Sequence, residues 1–204
     1  APLSPWLEYG LPLVLACTAV VLMLGLADRM QAFRSERDRA RQDAQRDPLS
    51  GAYNRVGILQ RLQHAVAEAR AGSRQVAVLF LDIDHFKQIN DTHGHALGDA
   101  CIRQLSWLVQ EELMPGESFG RLGGEEFMLV LPGVNGRHAR DAGERLRRKV
   151  EGRSVVLDGV RVGMTVSIGS VEYAAPETAD ALVRRADAAM YAAKEAGRNR
   201  VVAG

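Results

Sequence analysis

The sequence predicts an α/β or α+β domain, one sheet with helices packed on it, carried behind an N-terminal helical segment. Three observations point there. From residue 47 onward helical and strand-like patterns alternate, with one hairpin among them, an order that suits a layered sheet-and-helix domain and that a split βαβ arrangement satisfies compactly. The stretch "QVAVLFLDID" (75–84) is apolar enough for a strand buried on both faces. The first 46 residues stand apart, an uncharged run followed by a charged, alanine-rich one. A length of 204 residues fits one domain plus an appendage and is ample for a core.

Residues 9–27 ("YGLPLVLACTAVVLMLGLA") are 19 positions without a charge, close to the length that crosses a bilayer core, and predict a transmembrane helix. Glu8 is the only charge ahead of it, whereas Arg29, Arg34, Arg37, Arg39, Arg41 and Arg46 follow. The positive-inside rule therefore makes residues 1–8 an extracytoplasmic flank and puts the C-terminal side in the cytoplasm. A signal peptide would carry its basic residues first and a small-residue cleavage site after; a buried core helix is the competing reading. The chain begins with Ala1 and not Met, which leaves room for further protein ahead of it.

Residues 28–46 are charged and alanine-rich, with no Gly or Pro until Pro48, as in a solvent-exposed helix. Met23, Leu26, Met30, Phe33, Arg37, Ala40 and Ala44 follow one another by threes and fours, the spacing of a coiled-coil seam that weakens at Arg37. The expectation is a parallel dimeric signalling stalk about 30 Å long for roughly 20 helical residues, with a solvated linker helix as the alternative.

The domain at 47–204 opens with "DPLSGAYNR" (47–55), whose Pro and Gly end the stalk, and a helical pattern then runs to residue 71. After the strand at 75–84 come a polar loop, "NDTHGHALGD" (90–99), an amphipathic helix over 99–113, and two strands meeting at "GGEEF" (123–127). A helix over 136–150, a strand "VGMTVSIGSVEY" (162–173), a helix over 179–196 and a terminal extended piece complete it. No internal repeat or low-complexity run occurs. The net charge of +1 gives no nucleic-acid surface, so any nucleotide partner is small. Cys17 and Cys101 lie far apart without metal or redox spacing and read as small buried apolar residues in a reducing compartment.

In "RLGGEEFMLV" (121–130), Glu125 and Glu126 stand side by side behind two glycines. At an effective dielectric of about 20, two like charges roughly 5 Å apart repel by about 3 kcal/mol unless solvent or a cation screens them. A bound metal and a solvated hairpin tip are both consistent with these residues alone.

"GGEEF" resembles the signature of the GGDEF family, the diguanylate cyclases, and four further motifs fall in that family's order: "DPLSGAYNR", "FLDIDHFKQIND", "GHALGD" and "ADAAMYAAKEAGRNRV". The resemblance covers about 47–202. It implies the nucleotidyl-cyclase and polymerase-palm fold, an α+β ferredoxin-like core with a central, mostly antiparallel sheet. It implies synthesis of cyclic di-GMP from two GTP molecules, each 3′-hydroxyl attacking the other's α-phosphate and expelling pyrophosphate, with Mg2+ (or Mn2+) as cofactor and a homodimer formed through the stalk and across the active sites. The residues that match the family's metal site are Asp82, the Ile83 carbonyl and Glu125. Glu126 matches a required position whose role, second metal ligand or proton acceptor, stays open. Asp84 falls by alternation on the face of Asp82, while the family pattern makes it structural.

The resemblance further assigns Asn90 and Asp99 to guanine, Phe86 to a backbone contact with the phosphates, and Lys87, Lys194 and Arg198 to the triphosphate. The last two are four apart, as on one helical face. Gly123 and Gly124 let backbone approach a phosphate and adopt positive φ. His85, His93 and His95 are poorly spaced for zinc and read as loop residues. Where many members carry an inhibitory Arg-x-x-Asp, this chain has "MPGE", with Met114 and Glu117 in those places, so no product-inhibition site of that kind is expected. The whole reads as a diguanylate cyclase held in the cytoplasmic membrane of a bacterium by residues 9–27. The rivals are a silent GGDEF module that senses GTP or cyclic di-GMP, a cyclase of other specificity, and a purely structural anchored dimer.

Overall fold

In the computed structural model the chain divides into Ala1–Ala44 and Gln45–Gly204. The structure describes residues 45–72 and 74–204, together with Met23 and Arg29. The expected membrane helix at 9–27 and the expected stalk up to residue 44 lie outside the described residues but for those two positions. Among the described residues no helix is long and apolar enough to cross a membrane. At the expected end of the stalk the helical reading ran too far: Gln45 is in a turn and Arg46 bridges Tyr53. The cause is the turn that follows, where the Ser50 N–H and hydroxyl both donate to Asp47 Oδ1 and Gly51 takes φ 68°.

The elements are α1 (Arg55–Gly72), β1 (Val76–Ile83), α2 (Phe86–His93), α3 (His95–Gln110), β2 (Ser118–Gly123), β3 (Glu126–Pro132), α4 (Gly136–Glu151), β4 (Ser154–Leu157), β5 (Val160–Gly163), β6 (Val166–Glu172), α5 (Ala179–Glu195) and β7 (Val201–Ala203). Five strands form one sheet in the order β2-β3-β1-β6-β7. All pairings are antiparallel except β6 with β7, which is parallel. The result is a mixed, mostly antiparallel α+β fold.

β1 is the central strand and every one of its residues is buried. Its odd positions (Ala77, Leu79, Leu81, Ile83) enter one core with Phe86, Leu97, Leu105 and Leu146 of α2, α3 and α4. Its even positions (Val76, Val78, Phe80) enter a second core with Ile58 and Leu62 of α1 and Leu182 and Met190 of α5. Helices cover both faces, which is why the strand reads as an unbroken apolar run. Asp82 continues the even series and so lies on the side of α1 and α5.

Two expectations need correction. The polar stretch 90–99, read as a loop, is mostly helical: α2 ends at His93, Gly94 (φ 83°) breaks the chain, and α3 starts at His95, earlier than residue 99. Its polar residues face solvent while Ile89, Leu97 and Cys101 reach the core. The single strand read over 162–173 is two, and the hairpin β4–β5 was missed. Asp158-Gly159 (φ 48° and 81°) makes its two-residue turn, a sequence signal that was present.

At Gly169 in β6 an added Cβ would collide with the Ala186 carbonyl oxygen and stand 2.5 Å from the Met190 amide of α5. Both obstacles are backbone and cannot swing aside. Gly169→Ala is expected to lower the unfolding free energy in urea by about 2–3 kcal/mol; an unchanged midpoint would mean that α5 slides freely on the sheet.

Candidate active site

The register of β1 against β3 makes Asp82 and Glu126 direct partners, so both carboxylates emerge on the α1/α5 side at one end of the sheet. Asp82 is only 3% exposed. Its Oδ2 lies 2.7 Å from Lys194 Nζ, which comes from the last turn of α5. Burial is the main force on this carboxyl and pushes it up to about 6; Lys194 pulls the other way, and the charges of Glu125 and Glu126 add to the rise. Glu126 is also shifted upward, first by burial and then by Asp187 and Glu125, against Lys194 and Arg55.

β2 and β3 are joined through Gly124 and Glu125, with a bulge between Arg121 and Gly123. Gly124 has φ 51°, a conformation glycine adopts without penalty. Cβ atoms built at Gly123 or Gly124 would meet nothing within 4 Å, so the hairpin tip is open to an approaching group. The tip is braced from both sides. The Ile83 N–H donates to the Glu125 carbonyl at 3.3 Å. Arg121 Nε donates to the Gly124 carbonyl at 2.8 Å, and its guanidinium pairs with Asp47 at 3.1 Å. Tyr53 extends the contact, donating to the Phe119 carbonyl and accepting from the Arg121 N–H.

Phe86 and Lys87 open α2. The N-cap residue His85 has φ 57° and gives no side-chain cap, so the first N–H groups of the helix keep their capacity to bind an anion. The Phe86 side chain is buried; Lys87 is exposed. Further along α2, Asn90 Oδ1 sits where a Cβ of Gly98 would be, with the Phe86 ring also against that point. Asp99 follows directly, so Asn90 and Asp99 are neighbours across the α2–α3 corner and both are half-buried. His85, His93 and His95 are exposed at the ends of these two helices.

The expectation that Lys194 and Arg198 share a helical face fails, because α5 ends at Glu195 and Gly197 (φ 110°) turns the chain away. Arg198 lies in the loop beyond, exposed, with φ 63°. Asp84 is structural: its oxygens accept from Thr165 Oγ1, Ser167 Oγ and the Asn199 N–H. Arg121, Asp47, Asp187 and Asn199 were not singled out from sequence. All four lay inside quoted stretches, and only the fold shows that Arg121 meets Asp47.

Among the described residues no three His, Cys, Asp or Glu side chains converge as a ready metal cage. Asp82 and Glu125 with the Ile83 carbonyl are an all-oxygen set, in which the buried Asp82 carboxylate is under-compensated. That chemistry fits a hard divalent cation such as Mg2+, which keeps waters and takes one or two carboxylates.

The family pattern described as "Diguanylate cyclase, GGDEF domain" matches residues 44–200. The chain belongs to the GGDEF family. The GGDEF domain is 40% identical over 170 residues to diguanylate cyclase VdcA of Vibrio cholerae, covering 80% of this chain and 48% of that protein. It is 36% identical over 171 residues to diguanylate cyclase DgcP of Pseudomonas aeruginosa, covering 84% of this chain and 26% of that one. The chain thus spans a quarter to a half of the length of these curated relatives. Among solved structures, the coiled coil and GGDEF domain of DgcB from Caulobacter crescentus in complex with c-di-GMP matches with a TM-score of 0.82 and 32% identity, over 92% of this chain and all of that one.

The Asp82 carboxyl of the GGDEF domain titrates at about 6 when folded, against an ordinary 3.8. A raised acid holds its proton more tightly in the folded state, so its stabilising contribution is complete below 3.8 and is lost as the pH rises through about 6. Urea unfolding of the metal-free protein is expected to show stability declining across that window, with this component missing in Asp82→Asn. Parallel profiles for the two proteins would show that Asp82 is not shifted.

Proposed function

We propose that this chain is the catalytic part of a diguanylate cyclase that condenses two GTP into cyclic di-GMP and two pyrophosphates. The observation that carries the reading is the convergence of Asp82, Glu125 and Glu126 at one end of the β1–β3 pair, beside an open glycine hairpin and an uncapped helix start. Asp82, Glu125 and the Ile83 carbonyl would hold Mg2+, which when bound would supply neutralisation of the phosphate charge. Phosphates rest on the N–H groups at the start of α2 near Phe86, against Gly123 and Gly124, with Lys87, Lys194 and Arg198 supplying positive charge. Asp99 accepts from guanine N1 and N2 while Asn90 engages the purine edge, a pattern adenine cannot reproduce.

Each 3′-oxygen bonds to the α-phosphorus of the other nucleotide, the bond from that phosphorus to the pyrophosphate breaks, and the hydroxyl proton leaves toward the acidic cluster. Glu126, half-buried and upward-shifted, stands where it can take that proton or add a ligand to the metal. One domain holds one GTP, so two copies must face each other. A stalk over 28–44 raises their local concentration and relays a change of register or angle. Residues 9–27 anchor the assembly in the cytoplasmic membrane. The Met114–Glu117 turn lacks a guanidinium, and Glu117 is spent on the Met114 N–H at 2.9 Å, so product inhibition there is weak.

Incubating the chain with GTP and Mg2+ and separating the nucleotides is expected to give cyclic di-GMP, and Glu126→Gln is expected to give none. Bound GTP without product from the wild type would favour the sensor reading. Gly98→Ala drives a methyl into the Asn90 amide and is expected to raise KM for GTP about tenfold or more while kcat changes less. An unchanged KM would remove Asn90 from base recognition.

A further inference from the structure

The segment after α5 follows an unusual backbone path. Arg198 and Asn199 have φ 63° and 46°, two consecutive non-glycine residues in the left-handed region that L side chains seldom occupy. The Arg198 N–H bonds back to the Ala193 carbonyl at 3.0 Å as the chain leaves the helix. Asn199 fixes the path from there. Its N–H donates to Asp84 Oδ2 at 3.0 Å, its Nδ2 donates to Glu151 Oε1 at 2.7 Å, and its Oδ1 accepts from Arg147 at 2.9 Å. Asp84 is 3% exposed and also accepts from Thr165 and Ser167 at 2.7 Å each. Arg147 is itself braced by Glu144 and Glu151.

Asp84 just past β1, itself tied to the start of β6, and the last turns of α4 therefore converge on Asn199. The neighbouring side chain is its opposite: Arg198 is exposed, and its guanidinium has no hydrogen bond or ion pair among the described residues. The Asn199 side chain spends both its polar atoms on the scaffold, and the Arg198 side chain spends none. The end of β1 also grips Lys194 through Asp82, two residues before Asp84, so one strand end sets both cations relative to the carboxylates.

We propose that Asn199 is a positioning residue for the substrate: anchored to Asp84, Arg147 and Glu151, it locks Arg198 in the left-handed conformation that presents its guanidinium to the triphosphate of a bound nucleotide. The proposal rests on the reading of Lys194 and Arg198 as triphosphate contacts. Guanidinium–phosphate bonds are strong only in the right geometry. A backbone fixed beforehand removes the ordering cost that a free loop would pay on binding.

Binding of 3′-deoxy-GTP with Mg2+ reads this without turnover, since the attacking hydroxyl is missing. Asn199→Ala is expected to weaken binding about tenfold, and the double variant with Arg198→Ala to bind no more weakly than Arg198→Ala alone, a non-additive pair. Asn199→Gly, which tolerates the backbone but lacks the grip, is expected to match Asn199→Ala. Glu151→Ala, on the exposed far side of the loop, is expected to weaken binding about two- to threefold. Urea unfolding is followed in parallel, and should Asn199→Ala not fold, Asn199→Gly and Glu151→Ala decide. Affinities within twofold of wild type in folded variants, or losses that multiply in the double variant, overturn the proposal. Cyclic di-GMP formation is scored separately. Nucleotide binding that depends on Asn199 without any product sinks the cyclase reading alone, product with binding indifferent to Asn199 sinks this one alone, and a wild type that binds no nucleotide overturns both.

Discussion

The rest of the structure depends on what happens where β1 runs out of core. A strand covered by helices on both faces carries its side chains into apolar surroundings up to its last residue, so the acids that end it cannot turn to water. Asp82 and Asp84 meet this constraint differently. Asp84 saturates its oxygens with two hydroxyls and a backbone amide and becomes scaffold. Asp82 has one cation and two acidic neighbours, and stays under-compensated. A buried carboxylate left in that condition binds a cation well, since any added positive charge relieves both its desolvation and its repulsion from Glu125 and Glu126.

The hairpin that supplies the other acids is held as firmly as the strand. Two residues cannot define a rigid tip by themselves, yet the Gly124 and Glu125 carbonyls are each claimed, one by Arg121 and one by the Ile83 amide. Arg121 in turn reaches Asp47 in the turn that opens the domain. The glycine tip therefore has a continuous polar connection to the turn that opens the domain. A pair this far from full solvent, with side chains 14% and 20% exposed, is less screened than a surface pair, and its geometry is fixed at both ends.

Asn90 and Asp99 come from a different part of the fold than Lys194 and Arg198. The α2–α3 corner, built on the absence of a side chain at Gly98, sets Asn90 beside Asp99. The cations come instead from the end of α5 and the loop after it. α2 departs from the end of β1, and Asp84 just beyond that end grips the loop, so elements far apart in sequence meet there.

By itself the sequence determined the order of elements apart from the β4–β5 hairpin, the central buried strand, the acidic hairpin and the family, because local hydrophobic period and compact motifs depend only on neighbours along the chain. Asp82 near the end of the buried strand and Glu125 at the hairpin tip were legible in it. It did not determine that the polar run around Gly94 is helical, since Ile89, Leu97 and Cys101 are buried in a core completed by residues remote in sequence. Nor did it reveal that Arg198 leaves the helix, that Asn199 closes a network with Asp84, Arg147 and Glu151, or that Arg121 meets Asp47. Those pairs are separated by 115, 52, 48 and 74 positions, and a hydrogen bond across such a span exists only once the sheet register brings its two ends together.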